Sequence, residues 1–311
     1  MQSLDISLDH DIGTPSGAKA IVADALGISW QDVSQCTRTR PPSRNLVWKC
    51  KVRQMEVPVY LKIQGGQLPS NTVRHEARVL SQLETQGLPS IPPVLASGQL
   101  VGHGLGFSIL GGLRGKQLRS RFRSAPAATC QLQGALDWLG TLNALETREI
   151  ASILPKGLTG RFLPSFDPLT EGLVACDKLE NSSNVRFVRD CLQFAAGIVI
   201  DSPSPCIIHG SFTVFNILAD HNSLGGFVDF ESTRIGDPME DYGSLGYYLA
   251  QEVSEKCSLH WMQLAMRHHG RARFVTRVIP FMLWFALART NLQKVRWNRI
   301  RRLIDKLDFL P

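Results

Sequence analysis

The stretch "GGLRG" at 111–115 divides two kinds of patterning, and that division limits the folds open to the chain more than any other feature. Before it, from about 33 to 63, apolar residues alternate as they do in strands, and "NLVWKCKV" and "VPVYLKI" read as a hairpin around the polar turn "RQME". "TVRHEARVLSQLETQG" at 72–87 repeats Val73, Ala77, Leu80 and Leu83 at helical spacing and stops at Gly87. Two more strands follow in "PPVLASGQL" and "GFSILGGL", and a helix is expected at 17–27. After the division helical patterning dominates, as in "TCQLQGALDWLGTLNAL" and "NVRFVRDCLQFAAGIV". Only "CIIHG", "NILAD" and "GGFVDFE" interrupt it as short strand-like pieces. A chain of 311 residues can fill two lobes. The expectation is an α+β fold with a small antiparallel-sheet N-terminal lobe at 1–111 and a larger, mainly helical C-terminal lobe at 112–311.

The formal charge of +7 permits anionic ligands without choosing among them. Much of the excess lies in "RTNLQKVRWNRIRRLIDK", where Arg296, Arg299, Arg302 and Lys306 recur at helical spacing opposite Val295, Ile300, Leu303, Ile304 and Leu307. This is the pattern of a packed amphipathic helix with a solvated basic side, and no aromatic platform accompanies it. Nucleic acid is therefore not an expected partner. Seven cysteines without a CxxC pair or a zinc spacing suit reduced thiols. The N-terminal residues lack the build of a signal peptide, and the apolar run at 278–288 is too short to span a bilayer. A soluble, cytoplasmic protein with no membrane partner is expected.

Lys62 closes the strand-like "VYLKI" beneath the polar loop "RTRPPSRN", from which it can reach phosphate oxygens, and Glu76 on the next helix can hold its ammonium. In the same loop Ser43 and Asn45 offer hydrogen bonds to a nucleotide, although the loop has no glycine to allow close backbone approach. Farther on, "HGSFTVFN" is followed thirteen residues after its Asn by "VDFE". Asn216 and Asp229 are hard oxygen donors of the kind that bind Mg²⁺ shared with phosphates. The ordered set Lys, Glu, His-Gly, Asn, Asp is hard to reach by chance.

From about residue 33 to about 250 the sequence resembles the aminoglycoside phosphotransferase and choline kinase family, which has a bilobal protein-kinase-like fold and phosphorylates small molecules. The resemblance implies that ATP and Mg²⁺ are the cofactors, that Lys62 contacts the α- and β-phosphates, that Glu76 pairs with it, and that Asn216 and Asp229 bind the metal. It also implies that "SILGGLRG" is the hinge around the adenine. "IGDPMEDYGSLGYYL" fits too, with Asp237 and Asp241 read as loop anchors.

The departure is Ser211. In the family pattern His-Gly is followed by an Asp that accepts or orients the proton of the substrate hydroxyl, whereas here His209-Gly210 leads to Ser211, which is neutral and a poor base. General-base participation contributes roughly 10²–10⁴-fold, but a loose phosphoryl transition state leaves most of the work to positioning and charge. The resulting expectation is weak or altered phosphoryl transfer, with Ser211 and His209 as the candidate catalytic-loop residues. Glu231 is a possible stand-in carboxylate if the strand continues past Asp229, since the two would share a face. The alternatives are a pseudokinase that binds or scaffolds, and a kinase fold turned to non-kinase chemistry. Basic segments such as "RGKQLRSRFRS" and "KVRWNRIRR" point to a small-molecule acceptor that is neutral or acidic rather than polycationic.

Overall fold

The computed structural model describes residues 4–7, 11–39, 45–64, 72–122, 125–154, 166–179, 182–201, 204–220, 223–288 and 294–308. The chain forms two compact units. The first comprises Met1–Arg114, Ser152–Pro155 and Gly226–Ser232, and the second comprises Gly115–Ala151, Lys156–Gly225 and Thr233–Pro311.

The N-terminal unit is a six-stranded sheet in the order β1-β5-β6-β4-β3-β2. Its strands are β1 (Leu4–Ser7), β2 (Val33–Arg38), β3 (Leu46–Val52), β4 (Val59–Ile63), β5 (Val94–Val101) and β6 (Leu105–Gly111). The strands β2 to β6 pair antiparallel, as their alternation suggests. The sheet is nonetheless mixed, because β1 adds in parallel to β5 at one edge. Gly98 makes that pairing possible, since a Cβ there would lie 1.8 Å from the Leu4 carbonyl oxygen. Helix α1 (Pro15–Leu26) begins with Thr14 accepting from Gly17 N and ends at Gly27 with φ +63°. It buries Ala18, Ile21 and Val22 against Val33, Trp48, Cys50, Val59 and Leu61 of the strands. The second helix, α2 (Thr72–Thr85), buries Val73, Ala77, Leu80 and Leu83, the residues at the predicted spacing.

In the C-terminal unit the long helices are α3 (Ala125–Asn143), α4 (Pro168–Lys178), α5 (Ser183–Ala196), α6 (Met239–Glu252), α7 (Glu255–His269), α8 (Ile279–Leu287) and α9 (Trp297–Lys306). The apolar run at 278–288 is the buried α8, preceded by a π-helical turn at Phe274–Val278. No described helix is long and apolar enough to cross a membrane. Short strands carry the loops that matter: β8 (Cys206–Ile208) pairs with β11 (Arg234–Gly236), while β7 (Lys116–Gln117), β9 (Ile217–Asp220) and β10 (Ser223–Phe227) make a three-stranded sheet.

The basic C-terminal helix packs as its pattern suggests. Trp297, Ile300, Leu303 and Ile304 are buried, and the cations on the other side are engaged within the unit. Arg299 donates to Ala250 O at 2.9 Å and caps the end of α6, whereas Arg302 and Lys306 clamp Glu255 at 2.7 and 2.6 Å. Arg301 donates to Ser183 O and its guanidinium lies over Phe187 at 4.5 Å. Arg302 and Lys306, two of the cations that suggested a neutral or acidic acceptor, thus share one carboxylate inside the unit.

Candidate active site

The N-terminal unit assembles an ammonium among carboxylates. Along β4, Val59, Leu61 and Ile63 are buried toward α1, so Tyr60 and Lys62 point to the opposite face, where Lys62 stands opposite Val47 on β3 and Ser108 on β6. Lys62 Nζ donates to both oxygens of Glu76, at 2.9 and 2.7 Å. Two further carboxylates approach it, Glu231 at 3.3 Å and Asp229 at 3.6 Å. Asn45, which follows residues 40–44 that lie outside the described ones, donates from Nδ2 to Glu231 at 2.6 Å. Ser43 is among those undescribed residues.

Burial works against the Lys62 ammonium, but Glu76, Asp229 and Glu231 outweigh it and hold its pKa above the usual lysine range. Glu76 is fully buried, and desolvation pushes its carboxyl up to about 7 although Lys62 pulls the other way. Asp229 has φ +71°, the left-handed region that a non-glycine residue adopts at a cost, and its carboxylate is 44% exposed.

The strand expected to run through "GGFVDFE" ends at Phe227, and Phe230–Ser232 form a 3₁₀ turn. The idea that Asp229 and Glu231 share one strand face is therefore replaced by a turn that delivers both to Lys62. This segment belongs to the N-terminal unit because Phe227 N donates to Ser90 O at 2.9 Å and Phe230 N donates to Glu76 Oε1 at 3.0 Å.

The C-terminal unit holds the His-Gly-Ser loop. Strand β8 delivers it, and Asn143 fixes the middle of that strand by donating to Ile207 O at 2.8 Å. The backbone N–H groups of His209 and Gly210 both donate to Asp241, at 2.7 and 2.9 Å, so one buried carboxylate clamps two successive peptides. Gly210 sits at φ +73°, where a side chain would be strained. Burial, with Glu240 beside it, pushes the Asp241 carboxyl up to about 7, while the two N–H bonds favour the anion. His209 is fully buried with its ring edge-on to Trp138 and Phe212, and its Nδ1 accepts from Ser211 N at 3.3 Å. This contact holds the loop and leaves the imidazole out of solvent.

Ser211 is half-buried, and its hydroxyl and carbonyl oxygens accept from Asn216 Nδ2 at 3.2 and 2.9 Å. Those bonds fix the Asn216 amide, with its nitrogen committed to the loop and its oxygen the end suited to a cation. Asp237 caps α6 by accepting from Met239 N at 2.9 Å and pairs with Arg277. Arg277 also reaches Asp167, the N-cap of α4, at 2.7 Å. Asp237 and Asp241 thus both act as anchors of the chain.

Among the described residues no group of three or more His, Cys, Asp and Glu forms a metal cage. The first unit carries the Asp229 carboxylate and the second the Asn216 amide oxygen, each a hard oxygen donor of the sort Mg²⁺ uses when phosphates complete its shell. Each residue by itself fits that ion. Sequence reasoning missed Arg277 and the link from Asn45 to Glu231. Arg277 lies in an apolar helical run where a lone cation gives no signal, and a contact spanning 186 residues has no sequence period.

Structural comparison finds the wild-type aminoglycoside 2'-phosphotransferase-IIIa in its GDP complex at 18% identity and a TM-score of 0.66, covering 94% of this chain and 96% of that one. The GDP and kanamycin complex of APH(2")-IIIa matches at 17% identity and 0.64, with 94% and 97% covered. A thermostable mutant of APH(4)-Ia in ternary complex with ADP and hygromycin B matches at 15% identity and 0.61, with 93% and 98% covered. At these identities the likeness establishes a shared fold, the bilobal one of these kinase-like phosphotransferases. Among curated proteins no sequence matches. The model of the phosphotransferase enzyme family, however, matches residues 40–275, well over half of the chain and the stretch that holds Lys62, Glu76, the His-Gly-Ser loop and Asp229; the chain belongs to the phosphotransferase enzyme family.

Proposed function

We propose that the protein is an ATP- and Mg²⁺-dependent phosphotransferase that acts slowly on a hydroxyl of a small, non-polycationic molecule. The observation that carries this reading is the Lys62 ammonium held by Glu76 at 2.7 Å beside Asp229. A fixed cation next to a metal-binding carboxylate is what a nucleotide's phosphates require, and packing alone gives no reason to keep both. In this reading Lys62 binds phosphate oxygens, Asp229 and Asn216 hold Mg²⁺, and Asn45 and Ser43 flank the nucleotide. Bound Mg²⁺ would neutralise charge that develops on the phosphates. Asp241 and His209 position the loop, and Ser211 stands where a carboxylate would take the acceptor's proton. The absence of that base from the slot is the reason for slow transfer.

The formal net charge of +7 favours a neutral or acidic acceptor over an aminoglycoside, and micromolar binding of kanamycin would overturn that part. Calorimetric titration and thermal shift with ATP, with and without Mg²⁺, test the rest on the wild type, Lys62→Ala and Asp229→Asn. Asparagine is chosen because it tolerates the left-handed backbone of Asp229. Nucleotide binding that Lys62→Ala weakens, and whose Mg²⁺ dependence Asp229→Asn removes, supports the reading. No binding under any divalent cation sinks it.

One observation favours a second reading, a nucleotide-binding protein without transfer: the Ser211 hydroxyl accepts from Asn216 and carries no charge. Transfer of labelled γ-phosphate to water or to added alcohols distinguishes the two.

A further inference from the structure

Cys36 and Cys50 stand directly opposite each other on the antiparallel strands β2 and β3. Thr39 N donates to Val47 O at 2.9 Å, which makes Thr39 and Val47 a hydrogen-bonded pair. Counting back along the ladder, hydrogen-bonded and non-hydrogen-bonded pairs alternate, so Cys36 and Cys50 occupy a non-hydrogen-bonded position. At such positions the Cα atoms are about 4.5 Å apart and the side chains leave the same face toward each other, which lies within the range of roughly 4.4–6.8 Å that a disulfide spans.

The two thiols differ in access. Cys50 is fully buried in the core beneath α1, while Cys36 is half-buried on β2, the edge strand of the sheet. The difference extends to their chemistry. A hydrogen bond from the Cys50 thiol lowers the pKa of Cys36, burial opposes the shift, and the Lys19 ammonium on α1 adds to it. The same bond and burial push the Cys50 thiol up. One cysteine is thus suited to attack and its neighbour to resolve.

We propose that Cys36 and Cys50 are a dithiol redox site that closes to a cross-strand disulfide on reaction with a low-molecular-weight disulfide such as oxidised glutathione. In the first step Cys36 thiolate attacks one sulfur of the oxidant and expels one glutathione thiolate, leaving a mixed disulfide on Cys36. In the second, Cys50 gives up its proton and attacks Cys36 Sγ, forming the Cys36–Cys50 bond and expelling the second glutathione as its thiolate, which takes up that proton. The protein loses two electrons and two protons, and the oxidant gains them. The bond would staple β2 to β3, the strands on either side of Asn45. The inference does not depend on nucleotide binding.

The full-length protein is incubated with oxidised glutathione, quenched with an alkylating agent, digested and mapped by mass spectrometry. The expected result is a Cys36–Cys50 linked peptide that reductant abolishes, together with a higher melting temperature for the oxidised protein. Cys50→Ser should accumulate glutathione on Cys36, whereas the wild type should not, and Cys36→Ser should lose the redox-dependent shift in melting. If Cys50→Ser fails to fold, the wild-type map and Cys36→Ser still decide. Separately alkylated Cys36 and Cys50 after oxidation, or glutathione that persists on wild-type Cys36, would overturn the proposal. Adducts at the exposed Cys130 are read apart by the same map.

Discussion

Lys62 and Glu76 are joined by both carboxylate oxygens, at 2.9 and 2.7 Å, and the oxygen with the longer bond also accepts the N–H of Phe230 at 3.0 Å. Glu76 therefore joins three elements: the strand that presents the ammonium, its own helix, and the turn that follows Asp229. Lys62→Ala leaves the buried Glu76 carboxyl with one backbone N–H as its partner, and without the ammonium it must take up a proton or remain an unpaired anion. Loss of one member of a buried pair costs about 3–5 kcal/mol. Urea unfolding should register that loss, and Lys62→Met combined with Glu76→Gln should recover part of it, because the amide oxygen still serves Phe230. Equal stability of Lys62→Ala and wild type would mean that the pair is not held as described.

The clamp of Asp241 on the His-Gly peptides should be sensitive to a single atom. Asp241→Asn turns an NH₂ group toward one of two N–H donors now at 2.7 and 2.9 Å, leaving that donor buried and unanswered. A cost of about 1–3 kcal/mol follows from one orphaned buried group. Equilibrium unfolding measures it, and any nucleotide-dependent stabilisation should shrink with it if the loop takes part in binding.

Ser211→Asp places a carboxylate in the slot that the serine occupies. Phosphoryl transfer, followed as loss of ATP in the presence of small alcohols, should rise by roughly 10²–10⁴-fold if the base is the missing element. Asn216 now donates to the serine hydroxyl, and a carboxylate oxygen can accept the same bond, so the amide need not turn. An unchanged rate would point away from phosphoryl transfer as the reaction this loop performs.

Acid sensitivity should trace in part to His269. Burial, helped by the charges of His268 and Arg273, lowers its pKa from the ordinary 6.5 to about 4, and its ring stands edge-on to Tyr242 at 4.4 Å. As pH falls below 6.5 the unfolded chain takes up this proton while the folded one does not, so stability present above 6.5 is lost progressively until the folded imidazole titrates near 4. The slope from one such group cannot exceed ~1.4 kcal/mol per pH unit, and solvent screening of the partly exposed ring brings it below that bound. His269→Phe keeps the ring contact and should flatten the dependence of melting temperature on pH across that window. An unaltered slope would place the acid sensitivity elsewhere.

Much of this was legible in the sequence where a local period or a local reach carried it. Lys62 and Glu76 lie one strand and one helix apart, so alternation and the 3.6-residue repeat aim each side chain before any tertiary contact is known. The buried α8 and the amphipathic α9 follow from apolar spacing in the same way. Other features have no local cause. The strand β1 is four residues long and pairs with residues 98–101, so its partner rather than its pattern makes it a strand. "GGFVDFE" reads as strand by composition, but Asp229 takes a left-handed backbone and Phe230–Ser232 a 3₁₀ turn, because Glu76 and Ser90 claim the N–H groups of Phe230 and Phe227. The basic residues of α9 could be counted in the sequence, yet only their partners reveal that they serve as internal clamps.

The N-terminal unit is drawn from separate stretches of chain, with Gly226–Ser232 arriving long after the sheet has been completed. No single scission can release it whole. A gene fragment that stops at Arg114 encodes every strand of the sheet but not the peptides that answer Ser90 and Glu76, and it omits Asp229 altogether. The same holds for inheritance by recombination: a crossover that exchanges only the first third of the chain between relatives would give the sheet of one parent the keystone of another. Chimaeras of this fold should tolerate such exchanges best when residues 226–232 travel with the sheet they complete.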